Sequence, residues 1–133
     1  KKILFTWEEN TMLNYIINPK VIGLETDAFS KDGVFYVYHQ RDTRNPAPFG
    51  EPFGWALATT TDFVNYKNFG ESLKRGRDDE PDQFIYAGGF EDKDGNLHAF
   101  YTGYNREFLK VGKVSQVLMH ATSDDLVDWN KSE

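Results

Sequence analysis

The chain contains no cysteine among its 133 residues. It therefore has no disulfide framework, no cysteine metal site and no thiol nucleophile, and cysteine pairing gives no information on its redox compartment. Long apolar runs are also missing, because no stretch approaches the roughly 20 residues of a membrane-spanning helix. Residues 1–5 are too short for the apolar core of a signal peptide. The sequence predicts a soluble chain without a membrane partner and assigns it to no compartment.

Positively charged residues are fewer than negatively charged ones. Lys and Arg total 15 against 21 Asp and Glu, which gives a net charge of -6 and a pI near 5.0. A negative protein repels a phosphate backbone, so we expect no nucleic-acid partner. Two local basic patches, Lys74–Arg77 and Arg106–Lys113, lie in predicted loops and are interpreted as solvated loops.

Motifs for cofactors and metals are absent as well. No glycine-rich phosphate loop, serine nucleophile elbow or His-Glu zinc helix occurs in the sequence. His98 and His120 stand singly in predicted strands without metal-ligand spacing, so both are interpreted as packing or hydrogen-bonding residues. We expect neither a cofactor nor a metal.

A repeated stretch is the strongest pattern that the sequence does contain. Ala58–Tyr66 returns as Ala121–Trp129, 63 residues later. An alternating aromatic run precedes each copy, and an Asp-Gly turn, Asp32-Gly33 or Asp94-Gly95, precedes each run. Repeats of short strands that cannot bury their own faces are typical of propellers and solenoids. Within each repeat, the Asp of the Ser/Thr-x-Asp turn is interpreted as a local capping residue.

The repeat predicts an all-β fold of four-stranded antiparallel β-propeller blades. Residues 1–20 form a lead-in, residues 21–83 the first blade and residues 84–133 the second. A capping box at Thr6–Glu9 predicts a short N-terminal helix, with an edge strand from Ile3 to Trp7 as the alternative. Two blades cannot close a propeller, which needs roughly 4 to 8; we therefore expect a single-domain fragment of a longer protein.

The predicted strands follow the period-two alternation and the turn residues. Residues 70–83 are expected to be irregular, and a loop is expected to lead from Gly103 to Gly112. In the first blade a strand ends at Lys31 and is followed by Phe35–Gln40, Trp55–Thr59 and Tyr66–Phe69; the second blade has Phe84–Phe90, Leu97–Gly103, Ser115–Thr122 and a strand at Trp129.

Glu25 and Asp27 are two carboxylates on one face of the predicted first strand. Paired carboxylates are what glycoside hydrolysis requires, although a solvated strand edge has the same pattern. His39, Gln40, Arg41 and Asp42 follow the second strand and could hold sugar hydroxyls. The alternative is an Arg41-Asp42 pair that ties down the long loop after them.

Aromatic residues near the same predicted pocket could stack on a sugar ring. These are Phe49, Phe53 and Trp55. The alternative is packing between blades, which is the more usual use of aromatic residues in this class of fold.

Five segments of the sequence resemble one known family. Phe35–Gln40 followed by Gly54–Tyr66 looks like the first blade of glycoside hydrolase family 32, the invertase, levanase and fructosidase group, which is related to the arabinan-cleaving family 43. Tyr86–Gly89, Phe100–Gly103 and His120–Trp129 look like its second blade. The resemblance covers residues 21 to 130. It implies a five-bladed propeller with an axial pocket and retaining hydrolysis by a carboxylate nucleophile near the start of the first blade.

The family motif around that nucleophile, Asn-Asp-Pro-Asn-Gly, is replaced here by Gly23–Phe29. Counting back from the aromatic strand favours Glu25 as the nucleophile, whereas residue type and the following Ala-Phe favour Asp27. Gln40 matches the glutamine that ends the second strand of the family and faces its pocket. The Arg-Asp-Pro and Glu-Cys motifs of the third and fourth blades do not occur in this sequence.

The resemblance implies a glycoside hydrolase that acts on fructan-type, β-fructofuranosidic, or arabinan-type oligosaccharides by a retaining two-carboxylate mechanism. A non-catalytic carbohydrate-binding propeller and a structural or interaction β-domain are the alternatives. An oligosaccharide or polysaccharide is the expected partner. Open blade edges also predict self-association of the fragment.

Overall fold

The computed structural model describes residues 26–43 and 45–133. The first of two four-stranded antiparallel sheets contains β1 (Thr26–Lys31), β2 (Val34–Gln40), β3 (Trp55–Thr60) and β4 (Lys67–Leu73), in that order. Asp32 and Gly33 have φ values of 52° and 77° and join β1 to β2. Two positive φ values in a two-residue hairpin match the right-handed twist of the strands, which explains the Asp-Gly sequence.

The second sheet repeats this plan with β5 (Phe84–Lys93), β6 (Asn96–Tyr104), β7 (Gln116–Ser123) and β8 (Asn130–Lys131). Asp94 and Gly95 form the equivalent hairpin, with φ values of 56° and 85°. A single helical turn, α1 (Arg106–Lys110), lies between β6 and β7, and Asn105 caps it by accepting from the backbone N–H groups of Glu107 and Phe108. The second sheet therefore repeats the strand order of the first, and a helical turn lies in the connection between its second and third strands.

The core lies between the two sheets. The Tyr38 hydroxyl crosses this interface and donates to the carbonyl oxygen of Leu126 at 2.5 Å. Because aromatic side chains bury large apolar areas, this layer supplies most of the hydrophobic stabilisation. The buried cluster combines Tyr38, Trp55, Leu57 and Leu73 of the first sheet with Ile85, Ala99, Tyr101 and Ala121 of the second.

The strand register defines which residues of the two sheets are equivalent. Phe35 pairs with Thr60 and Leu97 pairs with Ser123, so the third strands are offset by 63 residues but the second strands by 62. Tyr38 thus corresponds to Phe100, whose cross-strand partner is His120. Equivalent residues lie on equivalent faces, which is how successive blades of a propeller stack face to back.

The repeated turn has the same hydrogen bonds in both sheets. Thr60 Oγ1 accepts from the N–H of Phe63 at 2.9 Å, and Asp62 Oδ1 accepts from Val64 and Asn65. In the second copy these bonds are made by Ser123 and Asp125, which accept from Leu126, Val127 and Asp128. The capping interpretation of both Asp residues is confirmed.

The all-β fold with propeller-type sheets is confirmed, and two local predictions are wrong. The fourth strand does not end at Phe69, because β4 continues to the buried Leu73. Two register shifts along β3 and a positive φ at Gly70 interrupt the period-two pattern there. The predicted loop after Gly103 contains α1.

The structure does not test several other predictions. The N-terminal helix, the lead-in and Glu25 lie outside the described residues. The blade boundaries and the count of five blades stay predictions. Within residues 26–43 and 45–133, no helix has the length and apolar character to cross a membrane.

Candidate active site

β1 and β3 begin, and β2 ends, at the same end of the first sheet, which we call the site edge. β1 begins there with Thr26 paired to His39, and β3 begins there with Trp55 paired to Gln40. The second sheet joins this edge because the N–H of Ile85 donates to the carbonyl oxygen of Phe53 at 2.9 Å. The candidate residues from β1, β2 and the loop after β2 are thus brought to one end of the structure.

Asp27 is the second residue of β1, and its backbone is in register with Tyr38. This position lies at the site edge. Glu25 precedes the described part of the chain. The roles of the two carboxylates, and the choice between them, stay predictions.

His39 is almost fully buried, with 2% of its surface exposed. Its Nδ1 lies 3.1 Å from the carbonyl oxygen of Gln40, so Nδ1 carries a hydrogen and donates. Burial lowers the pKa of His39, and the charge of Arg41 lowers it further, against the opposing effect of the bond to Gln40. The ring is therefore neutral, and Nε2, which has no hydrogen-bond partner among the described residues, is an acceptor.

Gln40 and Trp55 are paired across β2 and β3, and both are buried. The Trp55 ring packs against Phe90 at 5.5 Å and Tyr101 at 6.3 Å between ring centres. Gly88 provides the space, because a Cβ there would lie 2.7 Å from the Trp55 ring. Trp55 thus packs between the sheets, and its predicted stacking on a sugar stays a prediction.

Arg41 and Asp42 begin the long loop after β2. The N–H of Arg41 donates to the carbonyl oxygen of Gly54 at 3.1 Å, which closes the base of the loop. Asp42 is fully buried, and its Oδ2 accepts from the N–H of Phe49 at 3.1 Å. Asp42 therefore holds the loop through a backbone amide, and sugar binding by this pair stays a prediction.

An aromatic group lines the site edge beside this loop. Tyr86 is central to it, with ring centres 6.0 Å from Phe49, 5.6 Å from Phe53 and 5.8 Å from Tyr104. Phe49 is 41% exposed, whereas Phe53 is buried. The group thus contains an exposed ring, Phe49, that packs against a buried ring, Phe53.

The sequence analysis missed Tyr86, Tyr104 and Arg106 as members of this edge. The guanidinium of Arg106 lies 4.4 Å above the Phe84 ring and donates to the carbonyl oxygen of Gly50 at 3.2 Å. A register shift between Ile85 and Gly88 turns β5 at Tyr86. Bulges redirect side chains in this way, and the glycine pair after Tyr86 was the available signal.

Metal-ligand groups are absent from the part of the chain that the structure describes, where no three His, Asp or Glu side chains converge. His98 Nδ1 lies 2.8 Å from His120 Nε2, and His120 Nδ1 lies 2.6 Å from Ser132 Oγ. The interpretation of both histidines as hydrogen-bonding residues is confirmed.

Comparisons with solved structures agree on the fold. A glycoside hydrolase of Parabacteroides distasonis, described as putative in its own report, matches with TM-score 0.62 and 22% identity over 80% of this chain and 30% of its own. A β-xylosidase/α-arabinofuranosidase from a compost metagenome matches with TM-score 0.62 and 15% identity, over 84% and 34%. The sucrose-6-phosphate hydrolase of Lactobacillus gasseri matches with TM-score 0.59 and 12% identity, over 78% and 20%.

The chain therefore spans about a third or less of these structures. No curated protein matches it in sequence. The family comparison matches the glycosyl hydrolases family 32 N-terminal domain over residues 27–133, which includes both sheets. The chain belongs to glycosyl hydrolase family 32, as an N-terminal domain of that family.

Proposed function

We propose that the protein to which this chain belongs is a retaining glycoside hydrolase acting on β-fructofuranosidic or arabinan-type oligosaccharides. The observation that carries the proposal is the position of Asp27 in β1, at the edge where buried polar side chains of β2 and the following loop also lie. Membership in family 32 supports it. The five-bladed closure expected from that family would make this edge the rim of an axial pocket.

Retaining hydrolysis requires two carboxyl groups about 5 Å apart, one as the nucleophile and one as the acid/base. Asp27 is assigned as the nucleophile: its carboxylate attacks the anomeric carbon as the glycosidic bond breaks, and water later releases the sugar from the covalent intermediate. Glu25, two residues earlier in the sequence, is assigned as a ligand to a sugar hydroxyl or as a charge that sets the pKa of Asp27. The acid/base carboxyl belongs to a later blade.

The buried side chains of the site edge suit the positioning of a sugar. His39 is neutral and held by its bond to the Gln40 carbonyl oxygen, so its Nε2 is oriented as an acceptor. Asp42 is held by the Phe49 amide. Side chains fixed in this way give up little conformational freedom when a substrate binds. His39, Gln40, Arg41 and Asp42 are therefore assigned to substrate hydroxyls.

The assignment of the carboxylates is tested in the full-length protein. Asp27→Asn should lower kcat by several orders of magnitude without unfolding the protein, because the covalent path is lost. Glu25→Gln should mainly raise KM. Asp32→Asn, in the exposed hairpin at the opposite end of β1, is the matched control and should keep normal turnover. The reverse result at the first two positions would transfer the nucleophile to Glu25, and normal turnover in both variants would contradict the site.

The 133-residue chain alone should be inactive, because it carries at most one of the two carboxyl groups. The measurement is the release of fructose or arabinose from oligosaccharides by the purified chain. Any release above that of the Asp27→Asn chain would contradict the division of the site between blades.

A non-catalytic carbohydrate-binding propeller is the second candidate. The observation that favours it is the replacement of the Asn-Asp-Pro-Asn-Gly motif by Gly23–Phe29. Oligosaccharide binding by the full-length protein without hydrolysis would support this candidate over the enzyme. Absence of both activities would favour a structural or interaction domain.

A further inference from the structure

The loop between β2 and β3 contains a tight turn with an unusual residue at one position. The N–H of Gly50 donates to the carbonyl oxygen of Ala47 at 2.9 Å, so Ala47–Gly50 is a β-turn with Pro48 at its second position. Phe49, at the third position, has a φ of 57°. Turns that have a positive φ at the third position normally place Gly or Asn there. A bulky aromatic residue therefore adopts a backbone conformation that its side chain disfavours.

Neighbouring groups hold Phe49 in this conformation. The buried carboxylate of Asp42 accepts from the N–H of Phe49 at 3.1 Å. The carbonyl oxygen of Gly50 accepts from the Arg106 guanidinium at 3.2 Å. Gly50 is closely packed, because a Cβ there would lie 2.2 Å from the carbonyl oxygen of Asn45. The strain at Phe49 is thus maintained by its own loop and by α1, as is typical of strained residues at functional sites.

The other non-glycine residues with a positive φ, in the part of the chain that the structure describes, belong to repeated turns. Asp32 and Asp94 lie in the two β-hairpins, and Phe63 and Leu126 lie in the two copies of the repeated turn. Phe49 has no such counterpart, because the second sheet has α1 in the equivalent connection. The strain at Phe49 is therefore not a property of the repeated fold.

The Phe49 ring lies on other aromatic rings at the site edge. Its centre is 6.2 Å from that of Phe53 and 6.0 Å from that of Tyr86. Tyr86 belongs to β5, which contacts β1, the strand of Asp27. Phe49 keeps 41% of its surface exposed, whereas Phe53 keeps 2%. The strained turn thus holds one aromatic ring exposed beside the strand that carries the proposed nucleophile.

The rest of the loop supplies polar groups rather than further apolar surface. Thr43 Oγ1 donates to Glu51 at 2.7 Å, and Asn45 Nδ2 donates to the other oxygen of the same carboxylate at 2.8 Å. Among the described residues of the loop, Phe49 is the exposed large apolar side chain. A protein partner would need a larger apolar patch. One exposed ring with hydrogen-bonding groups in the same loop suits a single sugar instead.

We infer that Phe49 is a stacking platform for the sugar on the leaving-group side of the scissile bond. This inference rests on the proposed function, in which the sugar attacked by Asp27 lies in the axial pocket and the next sugar lies outside it. The apolar C–H face of a sugar packs on an aromatic ring, and a ring that is already held in place loses little freedom when the sugar binds. Phe49 therefore selects oligosaccharides over substrates that lack a second sugar.

The experiment compares two substrates of the full-length protein. One is a trisaccharide of the proposed class, and the other is the glycosyl fluoride of the same terminal sugar, whose leaving group has no ring. Phe49→Ala should lower kcat/KM for the trisaccharide by about tenfold, mainly through KM, and should keep the fluoride within about twofold of the wild type. Phe49→Tyr retains an aromatic ring and should keep the wild-type values for both substrates.

Phe63→Ala is the matched control, because Phe63 is also exposed and also has a φ of 57° but lies at the opposite end of the first sheet. It should leave the kinetics on both substrates unchanged. Phe49→Gly separates sugar binding from the stability of the loop. Because Gly accepts a positive φ, this variant should have a higher Tm than Phe49→Ala and the same loss on the trisaccharide.

Equal losses on the two substrates in Phe49→Ala, or no loss on the trisaccharide, would overturn the inference and leave the assignment of Asp27 unaffected. If the wild type hydrolyses neither substrate, the proposed function fails, and calorimetric titration with the trisaccharide tests the platform separately. A Kd that is about tenfold weaker in Phe49→Ala than in the wild type would support the platform. Equal affinities, or no binding by the wild type, would overturn it.

Discussion

The two copies of the repeated turn have the same hydrogen bonds and opposite environments. Phe63 and Leu126 occupy the same position, with φ values of 57° and 68°. Phe63 is 56% exposed, whereas Leu126 is 4% exposed and accepts from the Tyr38 hydroxyl. The side chains of the turn thus determine its local conformation, and the neighbouring sheet determines whether it contributes to the core.

The third strands provide a parallel comparison. Gly54 lies beside β4, where a Cβ would come within 2.2 Å of the Leu73 carbonyl oxygen. Its equivalent, Val117, has a side chain that lines a cavity. The position is thus restricted to glycine in the first sheet, where the backbone of β4 lies against it.

The largest expected effect comes from Gly54. Gly54→Val should destabilise the chain by more than about 3 kcal/mol, because the new side chain collides with the backbone of β4 and cannot be relieved by a rotamer change. Val117→Gly is the matched substitution in the second sheet and should cost at most about 1 kcal/mol, for lost strand propensity. Urea denaturation of the two variants checks this difference, and similar losses in both would contradict it.

Leu126→Ala should cost about 2–3 kcal/mol, because it removes a buried side chain at the interface between the sheets. Phe63→Ala, at the equivalent exposed position, should cost less than about 1 kcal/mol, chiefly for the lost contact with Phe35, whose ring centre is 4.5 Å away. Thermal unfolding of the two variants measures the contrast. If Phe63→Ala were the more damaging, the turn of the first sheet would have to be buried against another element.

Tyr38→Phe should cost about 1–2 kcal/mol, because the buried carbonyl oxygen of Leu126 loses its hydroxyl donor. The equivalent residue in the second sheet is already Phe100, so Phe100→Tyr serves as the control and should be close to neutral at its partly exposed site. Denaturant midpoints compare the two. A neutral Tyr38→Phe would indicate that the hydroxyl adds nothing to the interface.

The smallest expected effect is the pH dependence due to His39. Because burial lowers its pKa in the folded chain, the unfolded chain binds more protons below the ordinary value near 6.5. The contribution of neutral His39 to stability is therefore complete above that pH and is lost as the pH falls below it. His39→Gln should lose less stability than the wild type between pH 7.5 and pH 5.5. Equal losses would show that His39 is not buried neutral.

Much of the fold could be predicted from the sequence because its signals are local. The Asp-Gly hairpins and the Ser/Thr-x-Asp turns determine their conformations through their own side chains. The predicted bounds of β2 and β3 agree with the observed ones to within one residue, because β2 is rich in aromatic residues and both strands are bounded by turn or loop residues. The end of β4 was missed because its pairing contains bulges, and α1 was missed because its signal is one capping residue, Asn105.

The candidate site was less predictable, because burial there depends on contacts between the two sheets. The aromatic residues of the first sheet gave no local indication that Trp55 packs on Gly88 and Phe90. The change of offset from 63 to 62 residues between the third and second strands arises from unequal loops and alters which aromatic residues face the neighbouring sheet. Tyr86 reaches the site edge through a bulge that no periodicity indicates.

The central claim is that Asp27 is the nucleophile of a retaining hydrolase, and the covalent intermediate tests it most directly. The full-length protein is quenched in acid during turnover of a β-fructofuranosidic or arabinan-type oligosaccharide and digested, and its peptides are mapped by mass spectrometry. We predict a mass increase of one sugar residue that peptide fragmentation locates on Asp27, and its loss in Asp27→Asn. An adduct on Glu25 or on another peptide, or hydrolysis with inverted anomeric configuration, would contradict the account.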